Sequence, residues 1–138
     1  MADRIALENA VRTIYSARDR GDVDALMEHV DAGCSFRLVG GPRLGPVSEK
    51  VCGADPVRCA VQGLIDTWDM TKVGIVDLNI DGDMVFAHRA GTIRFIPGDI
   101  EFESEIADKF VFRDGRLVEF TEFLDTLQMA ETVGLVKF

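Results

Sequence analysis

At 138 residues, 47% of them apolar and nine of them phenylalanine, the chain is sized for a single domain, 1–138, with material for one core. A formal charge of −9 without Lys/Arg clusters argues against nucleic acid and anionic membranes as partners, since both would be repelled at long range. The start, MADRIALENAVR, lacks a secretory-signal pattern and nothing later approaches a membrane span, which predicts a soluble cytoplasmic protein; Cys34, Cys52 and Cys59, odd in number and without C-x-x-C spacing, read as reduced thiols.

Leu7, Val11, Ile14 and Arg18 recur at helical spacing, with Tyr15 beside the stripe and Gly21 as terminator, so the chain opens on a helix. Asp22 caps a short second helix that turns Leu26, Met27 and Val30 inward, and Gly33 closes it before the strand CSFRLV. The stretch GGPRLGPVSEKVCG, 40–53, is too rich in Gly and Pro for a regular element; it reads as a lid over a pocket or as plain surface loop. Asp55-Pro56 reads as an N-cap followed by proline at the first helical position, opening a third helix whose stripe is Val57, Val61, Leu64 and Trp68.

The remainder is a meander of long strands: TKVGIVDLNI, MVFAHRAGTIRF, IEFESEIADKFVF and RLVEFTEFLD, separated by DGD, IPGD and RDG turns. In the third of these, Glu101, Glu103, Glu105 and Lys109 alternate with Phe102, Ser104, Ile106, Asp108, Phe110 and Phe112, giving one wet and one apolar face that Asp108 interrupts. Glu122 falls among apolar neighbours in the same way, sharing a face with Val118, Phe120 and Leu124. TLQMAETVGLVKF ends the chain as a short helix and tail.

Three helices followed by a meander is the α+β pattern, with the helices packed on one face of a strongly curved, mainly antiparallel sheet. A cone with an apolar interior follows, and small-molecule sites favour such concavities. The expected pocket lining is Tyr15, Phe36, Leu38, Trp68, Phe110 and Phe120.

The helix exit ARDRGDVDAL, the helix entry GADPV and the ending VFRDGRLVEFTEFLDTLQMAETVG resemble the nuclear transport factor 2-like superfamily, with its ketosteroid isomerase, SnoaL-like polyketide cyclase and limonene epoxide hydrolase branches. The resemblance covers nearly the whole chain and implies a cystatin-like, cone-shaped barrel with a mixed sheet. It says less about activity, because this superfold hosts enzymes, binders and association modules. Against the epoxide hydrolase branch, VFAHRAG places Arg89 on the family's arginine and EFLDTLQMAETV places Glu122 on its second carboxylate. Gly91 stands at the first carboxylate, and Phe36 and Leu38 replace a water-positioning Tyr and Asn. Against the isomerase branch, IADKFVF places Asp108 on an acid that donates to an oxyanion, while Leu38 takes the place of the base and Ile14, beside Tyr15, that of a tyrosine. In the cyclases the last-strand acid again maps to Glu122, with Asp125 as a second acidic position.

Glu122, on an otherwise apolar face, is thereby the candidate general acid/base, with a structural salt bridge as its alternative. Arg89 reads either as an anchor for a ligand oxygen or as a surface or interface residue. A buried acid at Asp108 needs a partner, and Arg89 is the first to name. Asp125 is an N-cap rather than a catalyst. His88 falls on the opposite strand face from Arg89 and His29 is isolated, so no metal is expected, and with no phosphate or dinucleotide motif no cofactor either. The function expected is cofactor-independent acid/base chemistry, of isomerase, cyclase or hydrolase type, on a small and largely apolar molecule. The alternative is a non-catalytic ligand-binding or dimerisation module of the same fold. A homodimer through the exposed sheet face is the expected assembly.

Overall fold

The computed structural model describes residues 3–137. Helix α1, Arg4–Asp19, starts where the Asp3 carboxylate accepts from the Ile5 and Ala6 amides, and it buries Leu7, Val11, Ile14, Tyr15 and Ala17. The Asp22 side chain caps α2, Val23–Met27, by accepting from the Ala25 amide. Val30 and Gly33 belong to strand β1, Val30–Leu38, and not to that helix. The helix is only five residues long, and a register shift between Val30 and Ser35 lets Gly33 sit inside the strand as an irregularity.

Residues 40–53 hold a kinked 3-10 segment, Pro42–Ser48, and strand β2, Val51–Cys52, which pairs with β1. Helix α3, Ala54–Thr67, begins two residues earlier than its sequence suggests. Its N-cap is Gly53, whose φ of +96° favours glycine, so Asp55 and Pro56 lie within the first turn and Asp55 is not the cap. Trp68 ends the helix and opens β3, Trp68–Asp81, followed by β4, Met84–Phe95, β5, Ile100–Arg113, and β6, Arg116–Phe123. Asp125 caps helix α4, Thr126–Thr132, through the Gln128 amide.

The six strands form one sheet in the order β2-β1-β6-β5-β4-β3, with β1 and β6 parallel and every other pair antiparallel. Register shifts between Asp69 and Lys72, between Ile75 and Asp77, and between Val111 and Phe112 place extra residues in the long strands. Such bulges bend strands and raise their twist, which curls the sheet around the helices into the cone-shaped α+β fold. The main core joins α1, α2 and α3 to the concave face through Val11, Val57, Val61, Val85, Phe110 and Phe112. A second cluster of Trp68, Met70, Val73, Ile93 and Ile106 fills the end near β3. Cys34 is buried and Cys52 and Cys59 are exposed, all three as free thiols. No helix among the described residues is long and apolar enough to cross a membrane.

Candidate functional site

The side-chain alternation of β5 turns Ile106, Asp108, Phe110 and Phe112 into the interior, and all four are buried. Asp108 is fully buried among them. On β4, Ala87 pairs with Asp108, so Arg89, two residues on and on the same face, reaches it diagonally. Arg89 Nη1 lies 3.6 Å from Asp108 Oδ2, an ion-pair separation rather than a hydrogen bond, with side chains only 2% and 0% exposed. From α1, the Tyr15 hydroxyl donates to the same Oδ2 at 2.6 Å, and the Arg89 guanidinium stacks over the Tyr15 ring at 3.9 Å. Tyr15 was expected only to line the pocket; here it holds the acid.

Glu122 lies directly opposite Asp108 in the β5/β6 pairing, so the two carboxyls project from neighbouring backbone positions into the same interior. Burial first, and then the neighbouring Asp108 carboxyl, push the Glu122 carboxyl well above the usual carboxylate range. Asp108 Oδ1 accepts nothing from the donors fixed on the chain. Protonation of Glu122 removes the repulsion between the two acids. Burial, reinforced by Asp108, also pushes the Tyr15 phenol up, so it remains a hydroxyl donor.

Arg18, one helical turn after Tyr15, faces the same interior and ties α1 down by donating from Nη1 to Trp68 O at 3.2 Å and from Nη2 to Leu64 O at 3.4 Å. Burial lowers its pKa. Its place in the first helical stripe, after Leu7, Val11 and Ile14, was legible; its membership of the site was not. A cation inside an apolar stripe was the available signal.

Two cavities share Arg18, Leu64 and Glu122 as common walls. The inner chamber is lined by Tyr15, Phe36, Phe120 and Arg89 besides aliphatic side chains. The outer one is lined by Leu38, Trp68, Met70 and Phe102 among others. A broader groove beyond it runs under Leu44, Pro46 and Val47 of the 40–53 segment. Glu122 and Arg89 therefore reach the chamber, whereas Asp108 stands behind its wall as a positioning residue. Phe110 is also behind the wall: it is fully buried and packs edge-on against Tyr15 and Phe120 instead of lining a cavity. His88 is on the outer face, within 3.0 Å of Glu105. Among the described residues no group of three or more His, Cys, Asp or Glu is placed to hold a metal ion.

Gly91 has a structural reason to be glycine. Its φ is +154°, and a Cβ built on it would lie 2.1 Å from the Lys72 carbonyl oxygen and 2.9 Å from Val73 Cα. The close approach of β3 occupies the space a side chain needs, so no carboxylate can stand here; Asp108 brings one to Arg89 from β5 instead. Gly91→Ala should lower stability by roughly 1–3 kcal/mol, read by urea denaturation, and an unchanged midpoint would show that β3 has room to retreat.

The SnoaL-like domain model matches residues 11–120. Among solved structures, an NTF2-like protein of unknown function from Burkholderia pseudomallei superposes with a TM-score of 0.80 at 15% identity, covering 95% of this chain and 97% of the other. An LEH-like epoxide hydrolase of M. tuberculosis gives 0.70 at 16% identity, with 94% and 97% covered. TerC, co-crystallised with polyporic acid, gives 0.80 at 11% identity, with 94% and 98% covered. At these identities the likeness is one of fold. No curated protein matches the chain at a significant level.

Proposed function

The chain belongs to the SnoaL-like domain family, and from that premise we propose that it is a cofactor-independent acid/base enzyme, of isomerase, cyclase or hydrolase type, acting on a small and largely apolar molecule held in its interior. One observation carries the reading: Glu122, whose carboxyl burial and Asp108 push above the usual carboxylate range, opens onto a chamber beside the Arg89 guanidinium, with Asp108 directly opposite it on the neighbouring strand. Glu122 gives its proton to a developing oxyanion or leaving oxygen. Arg89 polarises the same oxygen, and the Tyr15 hydroxyl and Arg89 keep Asp108 in position while charge moves. An LEH-like epoxide hydrolase, and TerC co-crystallised with polyporic acid, among the fold relatives are in keeping with a chamber that takes small oxygen-bearing molecules.

The test is turnover across a panel of epoxides, enolisable ketones and polyketide-like aromatics, followed by Glu122→Gln on whichever is converted. Loss of turnover supports the reading, and unchanged turnover removes Glu122 from the chemistry. The rival, a binding or dimerisation module, draws on Phe36 and Leu38, which put apolar surface where the related enzymes keep polar groups. Tight binding of a panel member without product would favour it.

The assembly we propose is a homodimer through the outer sheet face, where Val76, Phe86 and Phe123 are 56%, 39% and 43% exposed. Sedimentation should show a dimer at micromolar concentration that Phe86→Glu/Phe123→Glu converts to monomer; a monomeric wild type rejects this assembly.

A further inference from the structure

We propose that the inner chamber is built for an apolar molecule carrying one carboxylate, which seats between Arg89 and Arg18. This names the substrate class of the acid/base site and rests on that reading.

The first support is an orphaned donor. Arg89 is the largest of the fully buried side chains, it lines the chamber, and its Nε has no hydrogen-bond partner. A guanidinium offers five N–H donors in a fixed plane, and the contact to Asp108 engages only the Nη1 side. A buried N–H without an acceptor is costly, and a ligand oxygen entering the chamber is the missing acceptor.

The second support is charge. Two guanidiniums, Arg18 and Arg89, face the interior, opposed by a pair of carboxyls on directly facing strand positions. Two acids so placed in a dry wall share one proton, so the pair carries a single negative charge. Within the chamber lining itself, two guanidiniums face one acid, Glu122. Among the described residues lining the chamber, Glu122 is the only acid, and Asp19, which lies near Arg18, is exposed and outside the lining. An excess of cationic over acidic groups in the lining of an apolar chamber favours an anion there. The other walls, among them Leu26, Val57, Val61 and Phe120, require the remainder of the ligand to be apolar.

The experiment is calorimetric titration of the purified protein with 2-naphthoate and with its neutral counterpart, 2-naphthalenemethanol, at pH 7.5. The acid should bind at least about tenfold more tightly. That preference should shrink to near parity in Arg18→Gln and fall severalfold in Arg89→Gln/Asp108→Asn, a double variant that removes the orphaned donor while stranding neither buried charge. If the double variant fails to fold, Arg18→Gln decides alone. Equal binding of the two probes, absence of binding by the acid, or a preference that survives in every folded variant overturns the proposal. Failure of the acid/base reading looks different: 2-naphthoate keeps its preference while Glu122→Gln leaves turnover of a converted substrate intact.

Discussion

Arg89→Met should destabilise the protein by about 3–5 kcal/mol, the largest loss expected of any single substitution in the site. The residue and its partner are 2% and 0% exposed, so truncating the arginine leaves Asp108 buried with the Tyr15 hydroxyl but no cation beside it. Removing one member of a buried pair is costly because the other stays behind unpaired, not because the pair itself is strongly stabilising. Arg89→Met/Asp108→Asn should therefore recover most of the loss, since the amide oxygen still accepts from Tyr15 and no charge is stranded. Urea denaturation of the two single variants and the double closes a cycle in which a coupling of about 2 kcal/mol is expected. Additive single effects would mean that the 3.6 Å contact carries no energy. Exposed pairs set the contrast: Arg12 and Glu8, with side chains 52% and 46% exposed, should change stability by less than about 1 kcal/mol when separated.

The cone was legible because its signals are periodic. Alternation along IEFESEIADKFVF fixed which face of β5 is interior, and Asp108 emerged as a polar interruption of that face, as did Glu122 on β6. The pairing of Arg89 with Asp108 could be anticipated because a buried acid needs a partner. Three features were not legible, each for a physical reason. Gly33 reads as a helix stop, yet a bulge absorbed it into β1; glycine signals backbone freedom without saying which element uses it. Gly91 reads as a lost carboxylate, but the missing side chain is excluded by β3, a neighbour that the local sequence does not disclose. Tyr15 and Arg18 sit on a helix distant in sequence from every strand that carries an acid, so whether they meet Asp108 and Glu122 depends on how α1 docks, which helical periodicity leaves open. Register decided the rest: Asp108 and Glu122 become a proton-sharing pair because they are directly opposite, and a slip of one residue would have turned one of them to solvent.

Glu122→Gln should lower turnover of a converted substrate by about 10²- to 10⁴-fold while leaving the fold intact. Glutamine is the neutral isostere of the protonated acid: its amide still donates to Asp108 and fills the same space, but it has no proton to transfer. The same variant tests the proton inventory through stability. In the unfolded chain Glu122 ionises near the ordinary glutamate value of 4.5, whereas in the folded protein burial and Asp108 hold the proton to higher pH. Between those two values the folded state binds more protons than the unfolded, so stability falls as pH rises, by up to about 1.4 kcal/mol per pH unit from this group. Its contribution is complete below 4.5 and is lost once pH passes the folded value. The stability of wild type relative to Glu122→Gln should thus decline as pH rises above 4.5 and level off above the folded-state pKa. If Glu122 is the acid in the reaction, kcat/KM should fall through that same midpoint, because the proton that leaves the folded protein is the proton the substrate needs. A stability difference that stays flat with pH would show that Glu122 is ionised in the folded state, and then Asp108 and Glu122 hold no common proton and the acid must be sought elsewhere.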